Sequence, residues 1–153
     1  MKTGLTAAPF YLIAFSFLLT PILYQLKKIL VLDDNEDILD IVVEVLAYER
    51  YDVKGIRSAL SLLPVAESFH PDLILLDLRL SDGHGGELCR KIKTNPELQH
   101  IPVIIFTSYQ SPNDNLNRYG CDFVIDKPFD LVHLVDTINN FLVDADGMLN
   151  AGH

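Results

Sequence analysis

Four short, uninterrupted apolar runs recur along the chain: Ile29–Leu32, Leu73–Leu76, Val103–Phe106 and Phe123–Ile125. A strand with one wet face alternates apolar and polar side chains, whereas a strand covered on both faces reads as a continuous apolar run. These runs therefore predict strands of a sheet buried on both sides. Between them lie stretches with apolar residues at helical spacing, and strand–helix alternation of this kind builds a parallel sheet. No other feature narrows the fold as far.

The intervening segments complete the pattern. Asn35–Tyr48 carries apolar residues at 38, 41, 42, 45 and 46, a helix period. Tyr51–Ile56 reads as a second strand, more polar and so nearer an edge. Ser58–Ser68 predicts a helix capped by Ser58 and shortened or kinked at Pro64. Glu87–Lys93 predicts a helix behind a Gly-rich loop, and residues 112–119 a short, Asn-rich one. In the last helix Leu131, Leu134, Val135, Ile138, Phe141 and Leu142 share one face, with Asp130 as N-cap. Five such units predict an α/β, doubly wound, five-stranded parallel sheet in the flavodoxin-like order 2-1-3-4-5. One domain spans residues 27–144, and the tail, 145–153, is expected to fray.

The bulk numbers exclude more than they select. A net charge of −9 offers no basic face for nucleic acid. Cys89 and Cys121 form no disulfide framework and have no metal-ligand spacing, so a reducing compartment fits and both read as small buried or half-buried side chains. His70, His84, His100, His133 and His153 are scattered without ligand spacing and read as surface or loop residues. From Thr3 to Leu26 there is no charge, with Lys2 before and Lys27–Lys28 after. That run is about the roughly 20 residues a membrane span needs, but Pro9 and Pro21 interrupt it and no A-x-A cleavage site follows. Residues 1–26 are thus either a membrane anchor or interfacial segment, or an apolar N-terminal extension with no part in the domain. If they insert, Lys27–Lys28 keep the domain in the cytosol.

In open parallel sheets the site lies beyond the carboxyl ends of the strands. Strand one ends in Asp33–Asp34, strand three in Asp77, strand four in Thr107–Ser108 and strand five in Asp126–Lys127–Pro128. Any one of these alone is more often a cap or turn residue. Together they place three carboxylates in one small volume, which is unfavourable without a cation. A hard divalent ion with oxygen ligands resolves it, and Mg²⁺ is the usual one beside phosphate.

Leu30–Asp37, Pro71–Leu80, Ile101–Ser108 and Asp126–Phe129 resemble, in order and spacing, the four signature segments of response-regulator receivers. The resemblance covers roughly Leu26 to Val143. It implies a cytoplasmic single-domain response regulator in a phosphorelay, a signalling module that catalyses at most its own phosphotransfer and dephosphorylation. Asp77 would accept a phosphoryl group from a histidine kinase or histidine phosphotransfer protein and then signal to a downstream protein target. Asp34 and Asp77 would ligate Mg²⁺ directly, Asp33 mainly through water, and Arg79 through its carbonyl. Lys127 would pair with Asp77 before reaction and with a phosphoryl oxygen after it, and Thr107 would swing its hydroxyl to another. The family has a cis peptide at the position of Lys127–Pro128. Gly83, Gly85 and Gly86 would let the loop after Asp77 turn tightly, and the Arg79 side chain would alter the lifetime of phospho-Asp77.

The chain departs from the family on its output side. The usual switch aromatic falls at Val124, and Phe123, one residue off, should point to the opposite face. Ser81 stands where Pro is common and His84 where Asp is common. An alternative function is a receiver-like interaction module that works without phosphorylation; its usual mark is loss of the acidic pair, the phosphoacceptor or the lysine, and none is lost. An Asp-nucleophile phosphohydrolase would want D-x-D at the first strand, which Asp33–Glu36 does not supply.

Overall fold

The computed structural model describes residues 25–108, 116–128 and 130–149. In chain order the elements are β1 (Lys28–Leu32), α1 (Glu36–Tyr48), β2 (Asp52–Ile56), α2 (Leu62–Phe69), β3 (Leu73–Asp77), α3 (Gly85–Thr94), β4 (Val103–Thr107), β5 (Phe123–Asp126) and α4 (Leu131–Leu149). Short 3₁₀ turns at Ala59–Ser61 and Leu116–Tyr119 precede α2 and β5. A two-residue antiparallel ladder joins Arg79–Leu80 to Gly83–His84 in the loop after β3. The five long strands form one parallel sheet in the order β2-β1-β3-β4-β5. This is the architecture the apolar runs predict, with the polar second strand at an edge.

Strand periodicity sorts the core into two layers. Leu30, Leu32, Ile74, Leu76, Val103 and Ile105 face Leu62 and Ala66 of α2 and Leu88, Cys89 and Ile92 of α3. Their chain neighbours Ile29, Val31, Leu73, Leu75, Ile104 and Phe106 face Leu39, Val42 and Leu46 of α1 and Leu134, Ile138 and Leu142 of α4. Each large side chain fully buried in this way contributes about 1.5–3 kcal/mol. The layers clamp the strands, so their carboxyl ends are rigid points from which side chains can project.

Local chemistry sets the helix ends. Asn35 caps α1 by accepting from the Ile38 N–H, and Glu36 and Asp37 follow in the first turn, where the helix dipole favours them. Asp130 accepts from the Val132 N–H at the start of α4. Ser58 caps the 3₁₀ turn rather than α2. Pro64 is the third residue of α2, where a missing N–H is no loss, so the segment breaks into two short pieces instead of kinking.

Several expectations need correction. The buried stripe of α1 is Leu39, Val42 and Leu46, while Ile41 is 51% exposed. Helix α4 runs to Leu149, so residues 145–149 of the tail expected to fray are helical; Ala145, Met148 and Leu149 favour helix, and Gly147 costs only about 1 kcal/mol. Gly83, Gly85 and Gly86 do not have positive φ; among the described glycines that belongs to Gly120 alone. Their lack of a side chain serves close packing instead: a Cβ on Gly85 would lie 2.1 Å from the Asp77 carbonyl oxygen, and one on Gly86 2.5 Å from the Tyr119 ring. Residues 1–24, 112–115 of the expected Asn-rich helix, Phe129 and the end of the tail lie outside the described residues. Among the described residues no helix is long and apolar enough to cross a membrane.

Candidate functional site

Register delivers the acidic groups to one place. Leu32 of β1 pairs with Leu76 of β3, so Asp33 and Asp77, each the next residue, project side by side. Across the other side of β3, Asp77 pairs with Phe106, and Thr107 pairs with Asp126, which puts Lys127 one step beyond β5. Carboxylate oxygens of Asp33, Asp34 and Asp77 lie within 4.8 Å of one another. Lys127 Nζ stands 2.7 Å from Asp33 Oδ2 and 3.5 Å from Asp77 Oδ1. Its ammonium lies over the buried Phe106 ring, with Nζ 4.2 Å from the centroid. The Lys127–Pro128 peptide is cis.

Each acid is aimed by a main-chain donor. Asp33, 0% exposed, accepts from the Asn35 N–H at 2.8 Å as well as from Lys127. Asp34 Oδ2 accepts from the Ser81 N–H at 2.8 Å, tying the first acidic turn to the loop after β3. Asp77, 8% exposed, accepts from the Arg79 N–H. Burial pushes its carboxyl above the usual range, and nearby Asp33 adds to this; Lys127 opposes both without cancelling them. The loop itself is gripped from outside: Asp82 accepts from the Ala59 N–H at 2.9 Å and from Ser58 Oγ at 2.7 Å, which holds its carboxyl below the usual range.

Asp33, Asp34, Asp77 and Lys127 line a cleft of about 620 Å³ together with Arg79, Ser108 and Pro128. Thr107 is 2% exposed and closes the wall at the end of β4, its carbonyl accepting from the Lys127 N–H at 2.7 Å; Ser108, its neighbour, is the one that lines the opening. The site candidates Asp33, Asp34, Asp77, Arg79 and Lys127 thus meet in one cleft, with Thr107 beside it. Two features escape sequence reasoning. Arg57, beyond β2, reaches the Asp34 carbonyl at 3.4 Å and Glu36 at 3.1 Å. An apolar lip of Ile38, Ile41 and Leu131 also borders the acids, from α1 and α4.

Three converging carboxylates against one ammonium leave net negative charge in a half-closed site. Hard oxygen donors at this spacing suit a small divalent cation.

Comparison with known proteins identifies the family. The family model described as "Response regulator receiver domain" matches residues 29–139. The polar-differentiation response regulator DivK of Brucella ovis is 33% identical over 121 residues, covering 78% of this chain and 98% of that one. Among solved structures, a CheY-like response regulator receiver domain protein from Methanospirillum hungatei is 30% identical with a TM-score of 0.75, over 80% of this chain and 98% of that one. The BeF3-activated DrrB receiver domain is 32% identical with a TM-score of 0.67, over 76% and 97%. The chain belongs to the response regulator receiver domain family of two-component signalling.

Proposed function

We propose that Asp77 is the phosphoacceptor of this chain, charged by a phosphohistidine of a histidine kinase or histidine phosphotransfer protein. The observation that carries the reading is the clustered Asp33–Asp34–Asp77 group, with the buried Asp33 and Asp77 facing the Lys127 ammonium at 2.7 and 3.5 Å. An Asp77 oxygen forms the new O–P bond, the P–N bond to the donor imidazole breaks, and the imidazole leaves with a proton. Phosphoryl transfer asks little of the protein beyond position and charge neutralisation. Lys127 then moves its contact from the carboxylate to a phosphoryl oxygen, and Thr107 offers its hydroxyl to another. Asp33, Asp34, Asp77 and the Arg79 carbonyl are the groups that would hold Mg²⁺. When bound, the ion neutralises charge on the carboxylates and the incoming phosphoryl oxygens.

The apolar lip supplies the docking chemistry. Ile41 is 51% exposed directly beside the acids, so a partner helix presenting its phosphohistidine could cover apolar surface and reach Asp77 together. Signalling then runs through protein contacts, and the reducing cytoplasm fits both the free thiols and the supply of phosphorylated partners.

Incubation with acetyl phosphate and Mg²⁺, followed by intact mass, tests the proposal. A gain of one phosphoryl group that is absent in Asp77→Asn is the expected result. No gain in the wild-type chain would favour the phosphorylation-independent module, and rapid multiple turnover of a phosphomonoester would favour a phosphohydrolase.

A further inference from the structure

On the far side of the sheet from α1, the segment entering β5 runs along one stripe of α3. Positions 86, 89 and 93 of that helix share a face, and each meets a consecutive part of the segment. Gly86 lies under the Tyr119 ring. Lys93 Nζ sits 2.7 Å from an Asp122 carboxylate oxygen and donates to the Ile101 carbonyl at 2.8 Å. Between these two anchors lie Cys89 and Cys121, Cys121 packing against the same apolar layer that contains Cys89 and in side-chain contact with it. Neither thiol belongs to the cleft at the strand ends.

Access and charge distinguish the pair. Cys89 is fully buried, while Cys121 is half-buried. The contact with Cys89 is the main influence holding the Cys121 thiol below its usual range, against burial and the Asp122 carboxylate, which push it up; contact with Cys121 and burial push Cys89 up. A thiolate with some access is the sulfur that reacts, and a buried thiol beside it is the natural second partner.

We infer that Cys121 and Cys89 form a reversible dithiol–disulfide pair, oxidised by small hydroperoxides at Cys121 and closed by Cys89. The Cys121 sulfur attacks the peroxide: an S–O bond forms, the O–O bond breaks, and the departing oxygen takes up a proton as water or an alcohol. Cys89 then attacks the sulfenic sulfur. An S–S bond forms, the S–O bond breaks, and hydroxide leaves with the Cys89 proton as water. Two thiols are oxidised by two electrons and one peroxide is reduced, while a dithiol reductant reverses the change. The bond would fix Tyr119–Asp122 onto α3, inside the segment that connects Thr107 to Lys127.

The test is peroxide treatment of the full chain, then denaturing alkylation and intact mass. The expected product is lighter by two hydrogens, takes up no alkyl group, and yields a Cys89–Cys121 peptide on mapping; a dithiol reductant restores two alkylation sites. Cys89→Ser should stop at a dimedone-reactive sulfenic acid on Cys121, and Cys121→Ser should lose the reaction. Asp77→Asn should form the link as readily as the wild type, separating this inference from the phosphoacceptor reading. Both cysteines still alkylated after peroxide, a link only between separate chains, or oxidation beyond sulfenic acid without a link would each overturn it, and the wild-type mapping does so even if a variant fails to fold.

Discussion

The acidic cup and the face built around β5 are held by different physics. In the cup, every group depends on the charge of another: Asp33 takes both the Asn35 N–H and Lys127, and Asp77 sits above its ordinary pKa despite the same lysine. Removing one member exposes the rest to uncompensated burial, so the residue types that the receiver resemblance implies are all present. The β5 face is held by packing, and there the chain departs from the family. Val124, where an aromatic is usual, lies against the α2–α3 layer, while Phe123 faces away and stacks near Phe141 of α4, ring centroids 5.9 Å apart. The aromatic on the Val124 side comes instead from Tyr119, whose ring is 4% exposed between Gly86 and His84. Apolar volume can be supplied from a neighbouring segment; a charge in a cup cannot.

The comparison breaks first, and hardest, at Lys127. Lys127→Ala leaves Asp33 and Asp77 buried without their cation, a change of the kind that costs about 3–5 kcal/mol. Urea melts should show that loss without Mg²⁺ and a partial recovery with it, because an added cation replaces part of the missing charge. A recovery absent at saturating Mg²⁺ would mean that the three carboxylates do not share an ion.

Two adjacent glycines separate the halves next. Gly85→Ala drives a Cβ into the Asp77 carbonyl, which is main chain and cannot move aside, so a cost of about 3 kcal/mol and a fall in phosphorylation are expected together. Gly86→Ala meets the Tyr119 ring, which can shift. Its cost should be about 1 kcal/mol after the helix-propensity gain, with phosphorylation by acetyl phosphate unchanged. Equal effects on phosphorylation would dissolve the distinction between cup and face.

Asp77→Asn tests the cup's own strain. Burial raises the Asp77 carboxyl above its ordinary 3.8, so between those two values the folded chain binds more protons than the unfolded one. Stability therefore falls as pH rises through that window, and the cost is complete above it. At pH 7 without Mg²⁺ the Asn variant should therefore melt higher than the wild type. The difference should shrink on acidification toward pH 3.8, and Mg²⁺ should reverse it by stabilising the wild type.

Legibility in the sequence divides along the same line. Strand order and the charged strand ends could be read because a continuous apolar run followed by an acid is a local pattern. The phase of α1 could not: apolar residues at 38, 39, 41, 42, 43, 45 and 46 cover more than one stripe, and only the sheet decides that 39, 42 and 46 go inward. That same ambiguity hid the apolar lip at Ile41. Gly85 and Gly86 announced a special backbone, but their reason is close approach, by the Asp77 carbonyl across the loop for Gly85 and by a ring far along the chain for Gly86, as with the grip of Asp82 on Ser58 and the meeting of Cys89 with Cys121. Contacts across such separations leave no spacing to read.

The smallest effect is expected at the rim. Arg79 is exposed and lines the cleft beside Asp77, on the loop that Asp34 and Asp82 hold from either side. Its guanidinium can rest against a phosphoryl oxygen and occupy the space through which water approaches, but an exposed charged contact is worth only about 0.2–1 kcal/mol. Arg79→Ala should therefore shorten the lifetime of phospho-Asp77 by about 1.4- to fivefold by that arithmetic, with the rate of phosphorylation and the melting temperature nearly unchanged. The decay is read by intact mass after the phosphodonor is removed. An unchanged decay rate would show that the rim contributes nothing and that the buried cup alone sets how long the signal lasts.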